Sequence, residues 1–148
     1  MKYFNSTVGT DKDLQDILDD SQRLQLLQKL INLRQGRGTR KSDQIPERAI
    51  GPVFMNEYNN RAEYYKEWLK EQTGKDLPDN PEECHRLLMK LRKDAYQKLC
   101  DAVYEEKGYN DDAIPLPETI DAFGLLDDQA VELLKQYNME LDYSLLSN

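Results

Sequence analysis

Arg34, Arg37, Arg40, Lys41 and Arg48 place five positive charges in one short stretch, broken only by the acids Asp43 and Glu47. The chain as a whole carries a net charge of -8, so this stretch is a local exception. A guanidinium group pairs with a carboxylate or phosphate through two parallel N–H donors, which makes these five residues candidate contacts for an anion or an acidic partner. A capped helix followed by a solvated basic loop accounts for the same residues without any ligand.

The remaining chemistry-bearing residues assemble less well. His85 is the chain's one histidine and adjoins Cys84. Neighbours on a helix point about 100° apart, so this pair does not readily share a metal. Cys84 and Cys100 fall in one helical pattern, where sixteen residues correspond to about 24 Å, far beyond the reach of a disulfide. They are expected as reduced thiols. Asp111 and Asp112 lack the alternating oxygen ligands and closing Glu of a calcium loop, and read as a solvated turn. Tyr58, Tyr64, Tyr65 and Trp68 could stack on bases, but Glu57, Glu63, Glu67 and Glu71 interleave with them and would repel a phosphate backbone. No nucleophile, base and orienting group can be assembled, so no catalytic, cofactor-binding or metal residue is assigned.

The elements that position these residues are helical. Leu14, Ile17, Leu18, Leu24, Leu27, Leu30 and Ile31 recur at three- and four-residue intervals, which predicts an amphipathic helix burying that stripe. Gly36 ends it, because a residue without a Cβ accepts the left-handed turn after a last helical residue. Gly38 and Pro46 shape the loop that follows. A second helix is expected from Asn56 to about Gln72, closed by Thr73-Gly74. Asn80 caps a third, with Pro81 at its first position and Glu82 and Glu83 at the positive end of its dipole. Its buried stripe reads Leu87, Leu88, Leu91, Ala95, Leu99, Ala102 and Val103, until Gly108 stops it. A turn-rich link from Tyr109 to Pro117 leads to a short helix stopped by Gly124, and Asp127 caps a last one carrying Ala130, Val131, Leu134 and Tyr137. The expectation is an all-α fold, an irregular bundle of about five helices with ordered connecting loops. Residues 1–148 are expected to form a single helical domain, with 1–10 and 139–148 as frayed or docking tails.

The stretches N-L-R-Q-G at 32–36 and R-K-S-D-Q-I-P-E-R at 40–48 resemble the N-x-R-E-G and R-K-D-D-x-L-P-x-R patterns near the C-terminus of tungsten-containing aldehyde ferredoxin oxidoreductases. Gln35 stands where that family has Glu, and Ser42 where it has Asp. A second block, Tyr104, Gly108, Tyr109, Asn110, Pro115 and Gly124-Leu125, resembles the family's closing Y-x-x-x-G-W-D, proline turn and L-G-L. The resemblance covers roughly residues 11–126, with about Asn56 to Pro81 matching loosely. Asp121-Ala-Phe-Gly-Leu-Leu126 is similar to the pterin-binding D-x-x-G-L-D/C pattern but ends in Leu, and is read as a helix end.

The resemblance implies a C-terminal domain, subunit or fragment of an enzyme that oxidises an aldehyde to a carboxylate and delivers electrons to ferredoxin; some relatives act instead on aromatic acyl-coenzyme A. The complete enzyme is expected to hold a tungsten-bispterin cofactor and a four-iron four-sulfur cluster, whose binding motifs lie upstream. This chain, with two cysteines, is expected to bind neither alone and to be inactive by itself. Its expected partners are those upstream domains or a subunit bearing them, with ferredoxin reached indirectly. The alternative is a stand-alone helical module docking an acidic or phosphate-bearing ligand through the basic loop. A pI near 4.7 argues against nucleic acid as a partner. No apolar run approaches the roughly 20 residues that cross a bilayer, and no signal-like N-terminus appears, which makes the cytoplasm the expected location.

Overall fold

The computed structural model describes residues 2–139; the part of the expected C-terminal tail beyond Met139 lies outside them. Among the described residues the fold is all-helical: α1 (Lys2–Val8), α2 (Leu14–Arg34), α3 (Glu47–Ile50), α4 (Met55–Asn59), α5 (Ala62–Thr73), α6 (Pro81–Lys107), α7 (Pro117–Ala122) and α8 (Asp128–Gln136). The sole β feature among them is an isolated bridge between Tyr109 and Pro115. The eight helices exceed the five expected because α1 and α3, of seven and four residues, are too short to show a periodicity. In addition, the segment from Asn56 is divided at Asn60 and Arg61 into α4 and α5. Asparagine competes for backbone hydrogen bonds and favours such a break.

The chain packs into two compact units, one made of residues 1–43 and 104–148, the other of Gln44–Val103. The first unit is built around Leu26, Leu30, Leu33, Ile114, Ile120 and Leu134, donated by α2, α7, α8 and the loop before α7. Each such side chain, fully buried, contributes about 1.5–3 kcal/mol. Asp13 caps α2 by accepting from the Asp16 amide at 2.9 Å, while the Asp16 carboxylate accepts from the Asp13 amide at 2.8 Å. Asp127 caps α8 through the Ala130 amide at 2.8 Å.

The stripe expected to be buried on α2 is mostly exposed: Leu14, Leu18, Leu24, Leu27 and Ile31 face solvent, Leu24 at 66%. The buried face is Leu26, Leu30 and Leu33, with Leu33 at 1%. Both sets repeat at helical spacing, and periodicity alone does not say which face meets a neighbour. The same correction applies to α6, where Cys84, Leu88, Cys100 and Tyr104 are buried whereas Leu99 and Val103 are exposed.

The second unit gathers Tyr58, Leu69, Cys84 and Leu88, with Tyr65 and Trp68 packed against them. Asn80 caps α6 as expected, its side chain accepting from the Glu82 amide at 2.9 Å. The Arg92 guanidinium lies over the rings of Tyr65 and Trp68, 5.5 and 5.1 Å from their centroids, and donates to the Ile50 carbonyl at 3.2 Å. Tyr58 is fully enclosed, stacked on Tyr65, and its hydroxyl has no hydrogen-bond partner among the described residues.

Burial, with Cys84 beside it, pushes the Tyr58 phenol up to about 12 from its ordinary 10.0. Below the ordinary value both folded and unfolded chains keep the proton. Between that value and the raised one only the unfolded chain ionises, so the Tyr58 contribution to stability is lost as pH rises through this window. Tyr58→Phe is expected to keep or raise stability at neutral pH, by up to about 1 kcal/mol, because it removes an unsatisfied buried hydroxyl. It is also expected to flatten the alkaline loss. Urea unfolding of both proteins at neutral pH and across the alkaline window checks this.

Candidate partner-contact surface

The basic stretch begins where α2 must stop. The last carbonyls of a helix have no partner within it and need one from elsewhere. Here the Arg37 amide reaches back to the Asn32 carbonyl at 2.9 Å and the Gly36 amide to the Leu33 carbonyl at 2.9 Å, the paired bonds of a Schellman turn. Gly36 sits at φ 72°, which a residue with a Cβ adopts only with strain. The Tyr137 hydroxyl at the end of α8 adds a second bond to the Leu33 carbonyl at 2.8 Å.

After that turn the loop is tied to the segment between α6 and α7. The Arg40 amide donates to the Asp112 carbonyl at 2.9 Å, and its guanidinium donates to the Asp111 carbonyl at 3.1 Å while lying 5.5 Å from the Tyr104 ring centroid. The Tyr104 hydroxyl donates to the Asp43 carboxylate at 2.8 Å. Lys29 donates to the Gly38 carbonyl and lies 5.4 Å from the Tyr109 ring centroid. Burial holds the Lys29 ammonium below its usual pKa, with the charge of Asp43 partly offsetting that.

The receiving segment is rigid for its own reasons. Gly108 ends α6 at φ 65°, and a Cβ there would meet the Thr119 hydroxyl oxygen at 2.2 Å. The Thr119 hydroxyl in turn donates to the Gly108 carbonyl at 2.9 Å. The Asn110 side-chain oxygen accepts from the amides of Asp112 and Ile114 at 3.0 and 2.9 Å, and Ala113 is held buried at φ 63°. The acids at 111 and 112 thus serve through their main-chain carbonyls.

The five candidate cations therefore divide. Arg40 is engaged inside the first unit. Arg34 is exposed and donates to the Gln129 side chain at 2.6 Å. Arg48 belongs to the second unit, paired with Glu57. That carboxylate also accepts from the Val53 amide at 3.0 Å at the start of α4, and the Arg48 contact holds it below the usual carboxylate range. Arg37 and Lys41 are exposed. Sequence reasoning missed Lys29, which carries no signal in its neighbours, and gave Asn110 no structural part although it stands in the downstream block.

Cys84 and Cys100 are buried free thiols, and the Cys84 thiol donates to the Pro78 carbonyl at 3.1 Å. His85 donates from Nε2 to the Pro52 carbonyl at 2.6 Å, a tie between chain segments. Two thiols on one helix do not fit a four-iron cluster, which requires four ligands. Among the described residues no three His, Cys, Asp or Glu side chains gather where a metal ion could sit. The pterin-like pattern at 121–126 forms the end of α7: the Gly124 and Leu125 amides bond back to the Asp121 and Ile120 carbonyls, and Leu126 packs on the core. Among the described residues no helix is long and apolar enough to cross a membrane.

What the site defines is a helical packing and contact unit in which two sequence blocks some seventy residues apart interlock. The family model for aldehyde ferredoxin oxidoreductase, domains 2 & 3, matches residues 1–125, and the chain belongs to that family. No curated protein and no solved structure matches it.

Arg40→Ala removes the hydrogen bond to the Asp111 carbonyl and the contact with the Tyr104 ring among its interactions, and is expected to cost at least about 1–2 kcal/mol of stability. Arg37→Ala, on an exposed side chain, is expected to stay within about 0.5 kcal/mol of the parent. Thermal unfolding followed by circular dichroism distinguishes the two.

Proposed function

We propose that this chain supplies the C-terminal helical portion of an aldehyde ferredoxin oxidoreductase and is catalytically incomplete by itself. The observation that carries this reading is the interlock of residues 32–43 with 104–125, the two blocks that resemble the family's C-terminal patterns, within a chain matched to the family over residues 1–125. In the complete enzyme a tungsten-bispterin cofactor and a four-iron four-sulfur cluster would supply the oxidation of an aldehyde to a carboxylate and the transfer of electrons to ferredoxin. The residues of this chain would contribute a wall of the substrate path and the packing behind it. Arg40, Tyr104 and Asn110 hold that wall in one conformation, and Arg37 and Lys41 face outward from it. The upstream domains, in the same chain or a separate subunit, are the partner, and the cytoplasm is the setting.

The purified chain is expected to reduce no dye when given an aldehyde and to carry neither tungsten nor iron at stoichiometric level. Mixed with a chain bearing the upstream domains, it is expected to co-elute as a complex. Turnover or stoichiometric metal in the isolated chain would refute incompleteness, and failure to form a complex would refute the assignment of partner.

A further inference from the structure

The long helix α2 turns Leu26, Leu30 and Leu33 to the core and leaves an apolar seam on its outer side. Ile17, Leu24 and Ile31 recur every seven residues, with Leu27 between the last two, which is the spacing of a seam between two packed helices. Leu24 is the most exposed of them, and Leu27 and Ile31 are 41% and 47% exposed. Charge along the same helix is divided by sign. Residues 11–20 hold five aspartates against Lys12, whereas residues 21–38 hold Arg23, Lys29, Arg34 and Arg37 and no acid. The two groups are arranged about one point: Asp13 and Arg37, and likewise Asp16 and Arg34, lie equally far in sequence on either side of Gln25, at the level of Leu24 and Leu27. All four of these charged residues are exposed. Asp13 and Asp16 each use one carboxylate oxygen in capping the helix, and Arg34 donates to Gln129, so each keeps capacity for a further partner.

We propose that a second copy of the chain docks on this face, its α2 running antiparallel to the first across a two-fold axis at the level of Gln25. A two-fold interface is self-complementary, so each contact occurs twice. Antiparallel pairing sets Leu24 of each copy against Leu27 of the other, and Asp13 and Asp16 of each against Arg37 and Arg34 of the other. Parallel pairing would set acid against acid and base against base. The helix dipoles favour the antiparallel arrangement as well. Each copy carries a net charge of -8, but at physiological salt charges more than about 8 Å apart are largely screened, which leaves the close pairs to decide. This contact does not depend on the chain's place in an oxidoreductase.

Sedimentation equilibrium of the full chain at physiological salt tests this. The mass is expected to rise with concentration from 17.3 kDa toward twice that value. Leu24→Glu is expected to weaken self-association at least about tenfold, with the helical circular-dichroism signal unchanged because Leu24 is exposed in the single chain. Asp16→Lys with Asp20→Lys, and separately Arg34→Glu with Arg37→Glu, are each expected to weaken it about tenfold. Mixed in equal amounts, these two charge-reversed chains are expected to associate as tightly as the parent does with itself, because each half of one again faces the opposite sign in the other. A folding defect in either chain would not give that recovery. A chain that stays monomeric at every concentration, equal association of the parent and the charge-reversed chains, or no recovery on mixing would each overturn the proposal.

Discussion

The first unit depends on how α2 ends. A helix of 21 residues delivers unpaired carbonyls and a concentration of positive side chains to the same point, and both must be accommodated before the chain can turn. The Schellman turn at Gly36 meets the first demand from within the chain. For Arg40 the second is met from a distance, by the Asp111 carbonyl of the loop between α6 and α7 and by the Tyr104 ring. Remove the downstream loop and Arg40 loses the Asp111 and Asp112 carbonyls; remove the upstream turn and Asp43 loses the position in which it accepts from the Tyr104 hydroxyl.

This dependence explains why a basic stretch that reads as a docking surface in the sequence also supplies, through Arg40, one side of a joint in the structure. An arginine that binds a ligand and an arginine that closes a loop have the same one-dimensional signature. The structure separates them: Arg40 and Arg48 are bound to this chain's own groups, while Arg37 and Lys41 face outward. The acidic turn shows the converse, since Asp111 and Asp112 act through backbone carbonyls that any residue would provide.

Much of the fold was legible because its punctuation is local. Asn80-Pro81, Gly108, Gly124 and Asp127 mark helix ends by their own local chemistry, a capping side chain or a permissive backbone, and the helices begin and stop at them. The choice of buried face was not legible, because Leu24, Leu27 and Ile31 are as apolar as Leu26, Leu30 and Leu33, and only tertiary packing selects between them. The division at Asn60 and Arg61 was hidden by aromatic residues that keep a helical rhythm across it. Lys29 could not have been singled out, since its partners Gly38 and Tyr109 come together only on folding. The apolar stripe left exposed on α2, Leu24, Leu27 and Ile31, is the kind of surface that marks a contact with another element.

Native-state hydrogen exchange at the Arg40 amide tests the central joint most directly, because that N–H donates across it to the Asp112 carbonyl. The account predicts that this loop amide exchanges with the same opening free energy as the Leu30 and Leu33 amides of α2, since the joint opens only when the first unit unfolds. Exchange at the rate of an unprotected loop, with α2 still protected, would contradict it.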